Sequence, residues 1–477
     1  MKRTRLKNFL LIAALITATG AAMAYSSEPN GGFFPNWISG SPDHYAGNNE
    51  ILGVSGHLIQ NKVLQGSDGT VGLTLTLQAE EIASTGADDA RNVDMVIVLD
   101  RSGSMKGRKI NDARQAILEL LSGLSAQDRF ALVTYSEGVH IASDLLSVTK
   151  SNRDRMLAAV ISVRAGGGTH IEAGLRTGIS IVTSSSRHEN AAKVILISDG
   201  LANRGITDVK ALSGIAGVAV EKEFAVSTVG VGADFNEHLM TAIADRGTGN
   251  YYYLENPEAF AEVFQKEFYR SQTAFITNLK IQIPVKSGII LADAEGYPIH
   301  IQNDNAVFYP GNLRSGQLRK LFLTLQVPTD SKKLFELDNI TIGYRHNNRI
   351  YAIALNDSYK IACINNQKKV FSSIDKSSWT EKVIHEDFNR LKQEVAADLK
   401  SGKKQRALDK IDKYYGEQEE VNAVIGSASV AENLDKDLRE LKTFVNETFQ
   451  GAPAAVKQKQ KTNAKALQYE GYRGRRQ

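Results

Sequence analysis

The chain has 477 residues, enough for two to four domains, and its 42% hydrophobic and 23% charged residues are the balance of an ordinary globular protein. The formal net charge is +4, but Lys2, Arg3, Arg5 and Lys7 supply all of it, so residues 25–477 are neutral and give no electrostatic case for nucleic-acid binding. A single cysteine, Cys363, excludes an intramolecular disulfide, so stability must come from the core or from metal.

The four bases open a segment that continues as FLLIAALITATGAA and closes on Ala22-Met23-Ala24, the pattern of a cleavable signal peptide over 1–24. Its apolar run falls short of the ~20 residues that span a bilayer. An exported protein is therefore expected, in the periplasm, on the cell surface or secreted. Residues 25–50, rich in Ser, Pro, Gly and Asn, read as a linker. Within 51–90, Val71, Leu73, Leu75 and Leu77 alternate with Gly72, Thr74, Thr76 and Gln78, which predicts a half-buried strand. A strand near 58–64 is expected to pair with it across the turn GSDG.

Over 91–270 strands and helices alternate. VDMVIVLD, DRFALVTYS, KVILISDG and EFAVSTVGVG read as strands buried on both faces. Helices are expected at 106–124, 152–164, 170–183, 207–222, 234–245 and 257–270, with Asp234 and Asn256 as N-caps. VHIAS at 139–143 reads as a short antiparallel edge strand. This alternation predicts a doubly wound, mostly parallel α/β sheet of Rossmann-like build. After 274 the period returns to two, in Leu279, Ile281, Ile283 and Val285 and in Leu321, Leu323, Leu325 and Val327. Asn347-Asn348 marks a hairpin turn. A β-sandwich is expected over 271–365, completed by the strands of 51–90, so that the α/β domain is inserted in it or adjoins it. Residues 366–450 read as a helical segment, with Gly402 ending one helix and Gly426 lying between two others. The stretch 451–477 carries Lys457, Lys459, Lys461, Lys465, Arg473, Arg475 and Arg476 against Glu470 and reads as a disordered, solvated basic tail. Contact of that tail with a membrane or other anionic surface is the less favoured reading.

The apolar run Val96 to Leu99 stops at Asp100, and Ser102 and Ser104 follow at two-residue steps. Side chains two apart in an extended segment point the same way. In an open parallel sheet, ligands bind at the carboxyl ends of the strands. GGGTH at 166–170 places Thr169 in a loop that opens a helix, and ILISDG at 195–200 places Asp199 at the end of another strand. Three connections at one sheet edge thus supply oxygen ligands only. Hard divalent cations take oxygen ligands, and Mg²⁺ keeps several waters and binds one or two carboxylates.

On this set the chain resembles the von Willebrand factor type A family over roughly 92–270. The D-x-S-x-S part of that family's metal-ion-dependent adhesion site is matched by Asp100, Ser102 and Ser104, and the separate Thr and Asp by Thr169 and Asp199. The flanks are similar in architecture to inter-alpha-trypsin-inhibitor heavy chains and to bacterial calcium-activated-channel-like proteins. The resemblance implies that Ser102 and Ser104 bind metal directly, that Thr169 and Asp199 exchange between direct and water-mediated contact, and that Asp100 acts through water and by orienting the serines. It implies Mg²⁺, with Ca²⁺ or Mn²⁺ as alternatives, and a protein partner that presents an Asp or Glu carboxylate. It also implies coupling of the site to the last helix, near 257–270. By loop position Arg101, Met105, His140, His170 and Arg204 border the site. Of these only His170, beside Thr169, is favoured as a partner-selecting residue. No two histidines have zinc-like spacing on a shared helix.

There is no G-x-S-x-G elbow, no H-E-x-x-H and no G-x-x-x-x-G-K-[ST] loop. No catalytic residues and no enzymatic activity are expected. The leading reading is an exported, metal-dependent protein-binding or adhesion module. The alternative is a structural or regulatory subunit of a cell-envelope or transport-related complex.

Overall fold

The strand Val93–Asp100 is buried along its whole length. Successive side chains leave a strand on opposite faces, and Met95, Ile97 and Leu99 enter one apolar core while Val96 and Val98 enter another. A strand with two apolar faces belongs in the middle of a covered sheet. The structure, a computed structural model, describes residues 44–45, 51–81, 91–185, 190–347, 349–355 and 357–476. In it Val93–Asp100 lies between Ala191–Ser198 and Arg129–Tyr135, parallel to both. The sheet continues through Ala225–Val231 to Thr248–Leu254 on one side and ends at Val139–Ser147 on the other. Only this last edge strand is antiparallel. Helices Arg108–Gly123, Lys150–Ser162 and Phe260–Gln272 cover one face, and Ile171–Ser185, Val209–Ala216 and Glu237–Arg246 the other. The doubly wound α/β fold is as expected from the sequence. Two details differ. The 234–245 helix is capped by Asn236, whose side chain accepts from Leu239 N, while Asp234 pairs with Lys461 at 2.8 Å. The 207–222 helix breaks at Gly217 into Val209–Ala216 and Val218–Glu221.

The sandwich draws strands from both sides of this domain. Thr70–Ala79 pairs antiparallel with Leu318–Gln326, Leu75 opposite Leu321 and Leu73 opposite Leu323. Their apolar side chains share one core with Ile281, Ile283, Ile342 and Ile353 of the facing sheet. Three expectations are corrected here. The chain before the GSDG turn does not form one strand: Leu52–Leu58 pairs with Thr70–Ala79, but Lys62–Leu64 crosses to run parallel with Tyr359–Ile364. The crossing occurs where Ile59 leaves the sandwich core and is buried among helical residues. Thr70–Ala79 is also not half-buried, because Ile59 and Phe322 on its sheet's outer side pack with Trp379 and Val383 of the helical segment, and Thr70, Gly72 and Thr74 are buried with them. Within the expected linker, His44–Tyr45 adds a two-residue strand beside Tyr351–Ala352. The rest of 25–50 and the expected signal peptide lie outside the described residues.

The helical segment is built on Phe388–Lys400, Lys404–Ile425 and Leu438–Thr448. Gly402 and Gly426 close helices with φ of 69° and 68°, a left-handed conformation that glycine adopts without steric cost. The basic tail is not disordered. Pro453–Gly474 is a helix with proline in its first turn. Ala464 and Leu467 enter the helical core, and Gly471 lets the helix approach so closely that a Cβ there would stand 2.4 Å from Asn389 O. Four of the tail's seven bases, Lys461, Lys465, Arg475 and Arg476, pair with acids, and these acids lie on all three modules. Lys465 Nζ is 2.6 Å from Glu237, Arg476 Nη1 2.6 Å from Asp245, and Arg475 Nη2 2.6 Å from Asp293 and 2.5 Å from Glu386. No helix among the described residues is long and apolar enough to cross a membrane.

Candidate metal centre

The five expected residues converge at the carboxyl edge of the α/β sheet. Asp100 is the last residue of its strand and is fully buried. Its Oδ1 accepts from Ser102 N at 2.7 Å, which folds the loop back over the strand end. Its Oδ2 accepts from Ser198 Oγ at 2.9 Å, on the neighbouring strand. Burial pushes the Asp100 carboxyl up to about 6; hydrogen bonds from Ser102 oppose the shift, and the Asp199 charge adds to it. Ser102 Oγ and Ser104 Oγ lie 3.0 Å apart, and Ser104 Oγ donates to Asp199 Oδ1 at 2.7 Å. Ser102, Thr169 and Asp199 are buried, whereas Ser104 is exposed, so the cluster opens to solvent at Ser104.

The loops are tied to each other through backbone bonds. Gly103 N donates to Gly167 O at 2.9 Å and Gly166 N to Arg101 O at 2.7 Å. Thr169 N donates to Asn203 Oδ1 at 2.9 Å, while Asn203 N donates to Thr169 O at 3.2 Å. Beneath them the buried Tyr135 donates its hydroxyl to Ile197 O at 2.8 Å. These contacts hold the oxygens in place without drawing on them.

Two features test whether the cluster suits a cation. Gly200 lacks a side chain where a Cβ would stand 3.5 Å from Ser104 Oγ and 3.6 Å from Thr169 Oγ1. That leaves room between the two hydroxyls. Positive charge is already accepted here, because Lys109 Nζ lies 2.5 Å from Asp199 Oδ2. Among the described residues no group of three or more His, Cys, Asp or Glu could hold a metal ion, so a cation at this edge must take hydroxyl ligands along with its two carboxylates. The donor set therefore fits a hard divalent cation.

Sequence reasoning missed Lys109, Ser198 and Asn203. Lys109 is visible as a base in the first turn of the helix after the motif, but its direction depends on Gly107, which turns the chain at φ 80° immediately before that helix. Of the bordering residues, Met105 is corrected: the turn Gly103–Met105 points it inward, and it is fully buried in the core. Arg204 is exposed and pairs with Glu137 at 3.3 Å. His140 is exposed on the edge strand, and Arg101 is partly buried. His170 is partly buried, 3.9 Å from Glu172 Oε2, with its ring close against Gly205.

A family model for the von Willebrand factor type A domain matches residues 94–266. The chain carries a type A domain. It is 27% identical to the Synechocystis protein sll0103 over 51% of this chain and 60% of that protein. It is 32% identical to Escherichia coli YfbK over 40% of this chain and 33% of that one, and 26% identical to inter-alpha-trypsin inhibitor heavy chain H3 of Mesocricetus auratus over 47% and 26%. The matches thus span less than two thirds of each of these relatives. The fold is also that of a von Willebrand factor type A protein from Catenulispora acidiphila, at TM-score 0.63 and 16% identity over 88% of this chain and 96% of that one. It is similar to the ArnB paralog VWA2 from Sulfolobus acidocaldarius, at TM-score 0.53 and 17% identity over 87% and 98%. Both likenesses extend beyond the type A domain into its flanks.

Proposed function

We propose that the chain is an exported, metal-dependent protein-binding or adhesion module. The observation that carries this reading is the line of oxygens from Ser102 through Ser104 to Asp199, hydrogen-bonded in turn at the sheet's carboxyl edge, with Ser104 the exposed member. Ser102, Ser104 and Thr169 would hold a divalent cation, Mg²⁺ first and Ca²⁺ or Mn²⁺ as alternatives, with Asp199 and Asp100 balancing its charge. When bound, the cation supplies a Lewis-acidic position for an Asp or Glu carboxylate of a partner protein. The protein's part is electrostatic. Asp100 is held inward by Ser102 N and Ser198 Oγ, so it orients the loop and leaves little anionic charge at the opening. His170, partly buried beside Thr169, then borders the contact.

The test is capture of envelope proteins by the full chain. Capture should be lost in EDTA and return with Mg²⁺. Asp100→Ala should reproduce the EDTA result with an unchanged circular dichroism spectrum. Equal capture with and without chelator would contradict the reading. Export rests on the N-terminal segment, and sequencing of the cell-associated protein should find a new terminus at Tyr25.

A further inference from the structure

The opposite edge of the type A sheet carries a second feature. Two cavities of about 750 and 330 Å³ lie between the amino ends of the Ala191–Ser198, Ala225–Val231 and Thr248–Leu254 strands and the sandwich strand Ala274–Pro284. They share Lys193, Thr248, Arg270 and Asn312 as walls and so form one cleft. Its size is that of a small-molecule site, roughly 300–1,000 Å³.

The lining is strongly basic. Eight Lys and Arg side chains face two acids, Glu223 and Asp245. Both acids are already engaged, Glu223 by Arg345 at 2.6 Å and Asp245 by Arg476 at 2.6 Å. Lys193 and Arg270 share a third acid, Glu267, at 2.6 and 3.8 Å. Arg319 directs its two terminal nitrogens to carbonyls, Pro310 O at 2.7 Å and Asn312 O at 3.0 Å, which leave its charge uncompensated at those contacts. Positive charge therefore remains in excess. Six of the eight bases are arginines, whose planar forks match phosphate and carboxylate oxygens two at a time.

Two further observations point to a ligand. Glu223, Thr248, Asn278 and Asn347 line the larger cavity with φ of 62°, 53°, 54° and 48°. The two asparagines adopt this region readily, but at Glu223 and Thr248 it is costly, and such strain gathers at ligand sites. Asn278 Nδ2, in the same wall, is a buried donor with no acceptor among the described residues.

We propose that this cleft binds a small multivalent anion carrying phosphate or carboxylate groups. It does so independently of the metal centre at the other edge of the sheet. The experiment uses the full chain, freed of metal on a chelating resin and titrated calorimetrically with inorganic pyrophosphate and with citrate at constant ionic strength. At least one of the two should bind saturably, one per chain, and raise the unfolding midpoint by about 3 °C at roughly a hundredfold excess over Kd. Sodium chloride at the same ionic strength should not. Binding of pyrophosphate alone assigns a phosphate ligand, and binding of citrate alone a carboxylate. Lys222 and Arg314 are exposed, so K222Q/R314Q should melt as the parent does yet bind about tenfold more weakly. Saturable binding of neither anion, or binding that the double variant leaves unchanged, would overturn the proposal.

Discussion

Asp199 has two oxygens and two neighbours, Ser104 at 2.7 Å and Lys109 at 2.5 Å. In the proposed site the Lys109 ammonium and a divalent cation would compete for the same negative charge, at distances where Coulomb energies are several kcal/mol even at an effective dielectric of about 20. Lys109→Met should therefore tighten Mn²⁺ binding by about tenfold, read by titration calorimetry. Weaker or unchanged binding would mean that Lys109 does not compete. The oxygen donors were legible in the sequence because their chemistry and spacing are local, at Asp100, Ser102 and Ser104, or fall at strand and loop ends, at Thr169 and Asp199. Lys109 was not, because a base on an exposed helical turn looks the same whether it faces water or a carboxylate.

At the level of single elements, the helix Phe260–Gln272 is fixed to the sheet by apolar packing of Phe260, Val263 and Phe264 and by one buried carboxylate. Glu267 accepts from Lys193 at 2.6 Å, Ser227 at 2.5 Å, Tyr252 at 2.6 Å and Asn250 at 2.8 Å. Burial alone would raise its pKa, but the Lys193 charge and these hydrogen bonds outweigh burial and hold it at about 2. A carboxyl depressed from its ordinary 4.5 stabilises the fold above that pH, and the contribution is lost as pH falls through about 2. Glu267→Gln should lower stability at pH 7 by about 3 kcal/mol, since it leaves Lys193 buried without its counter-charge. It should also flatten the acid limb of a stability–pH curve between about 4.5 and 2. An unchanged acid limb would show that another group controls it. Any coupling of this helix to the metal centre must work against that network, so Glu267→Gln is also the variant in which the helix moves most easily. In the sequence Glu267 sits in QKEFYR among other charges, and only its spacing from Phe260, Val263 and Phe264 puts it on the apolar face of the helix.

Across the whole molecule, the type A domain is an insertion whose host is stitched together from distant strands. The period-two alternation on both flanks was enough to suggest this, because half of each strand's side chains must face a core. Strands Thr70–Ala79 and Leu318–Gln326 pair over nine residues and share that core. A 274–362 fragment should accordingly be poorly folded by circular dichroism; a cooperative melt would contradict the shared core. The last helix was illegible for a complementary reason. Arg475 meets acids 89 and 182 residues away and Arg476 one 231 residues away, so a run of bases with a single local acid, Glu470, looked like a solvated tail. Truncation after Gln450 leaves Asp245, Glu386 and Glu237 without these partners and should cost about 3 kcal/mol or more, seen as a lower melting midpoint. An unshifted midpoint would show that the helix only rests on the surface.

The most direct test of the metal centre is anomalous diffraction from crystals soaked in MnCl₂. The account predicts one strong peak among Ser102, Ser104 and Thr169, absent from Asp100→Ala crystals grown in the same condition. No peak there, or a peak that survives Asp100→Ala unchanged, would contradict it.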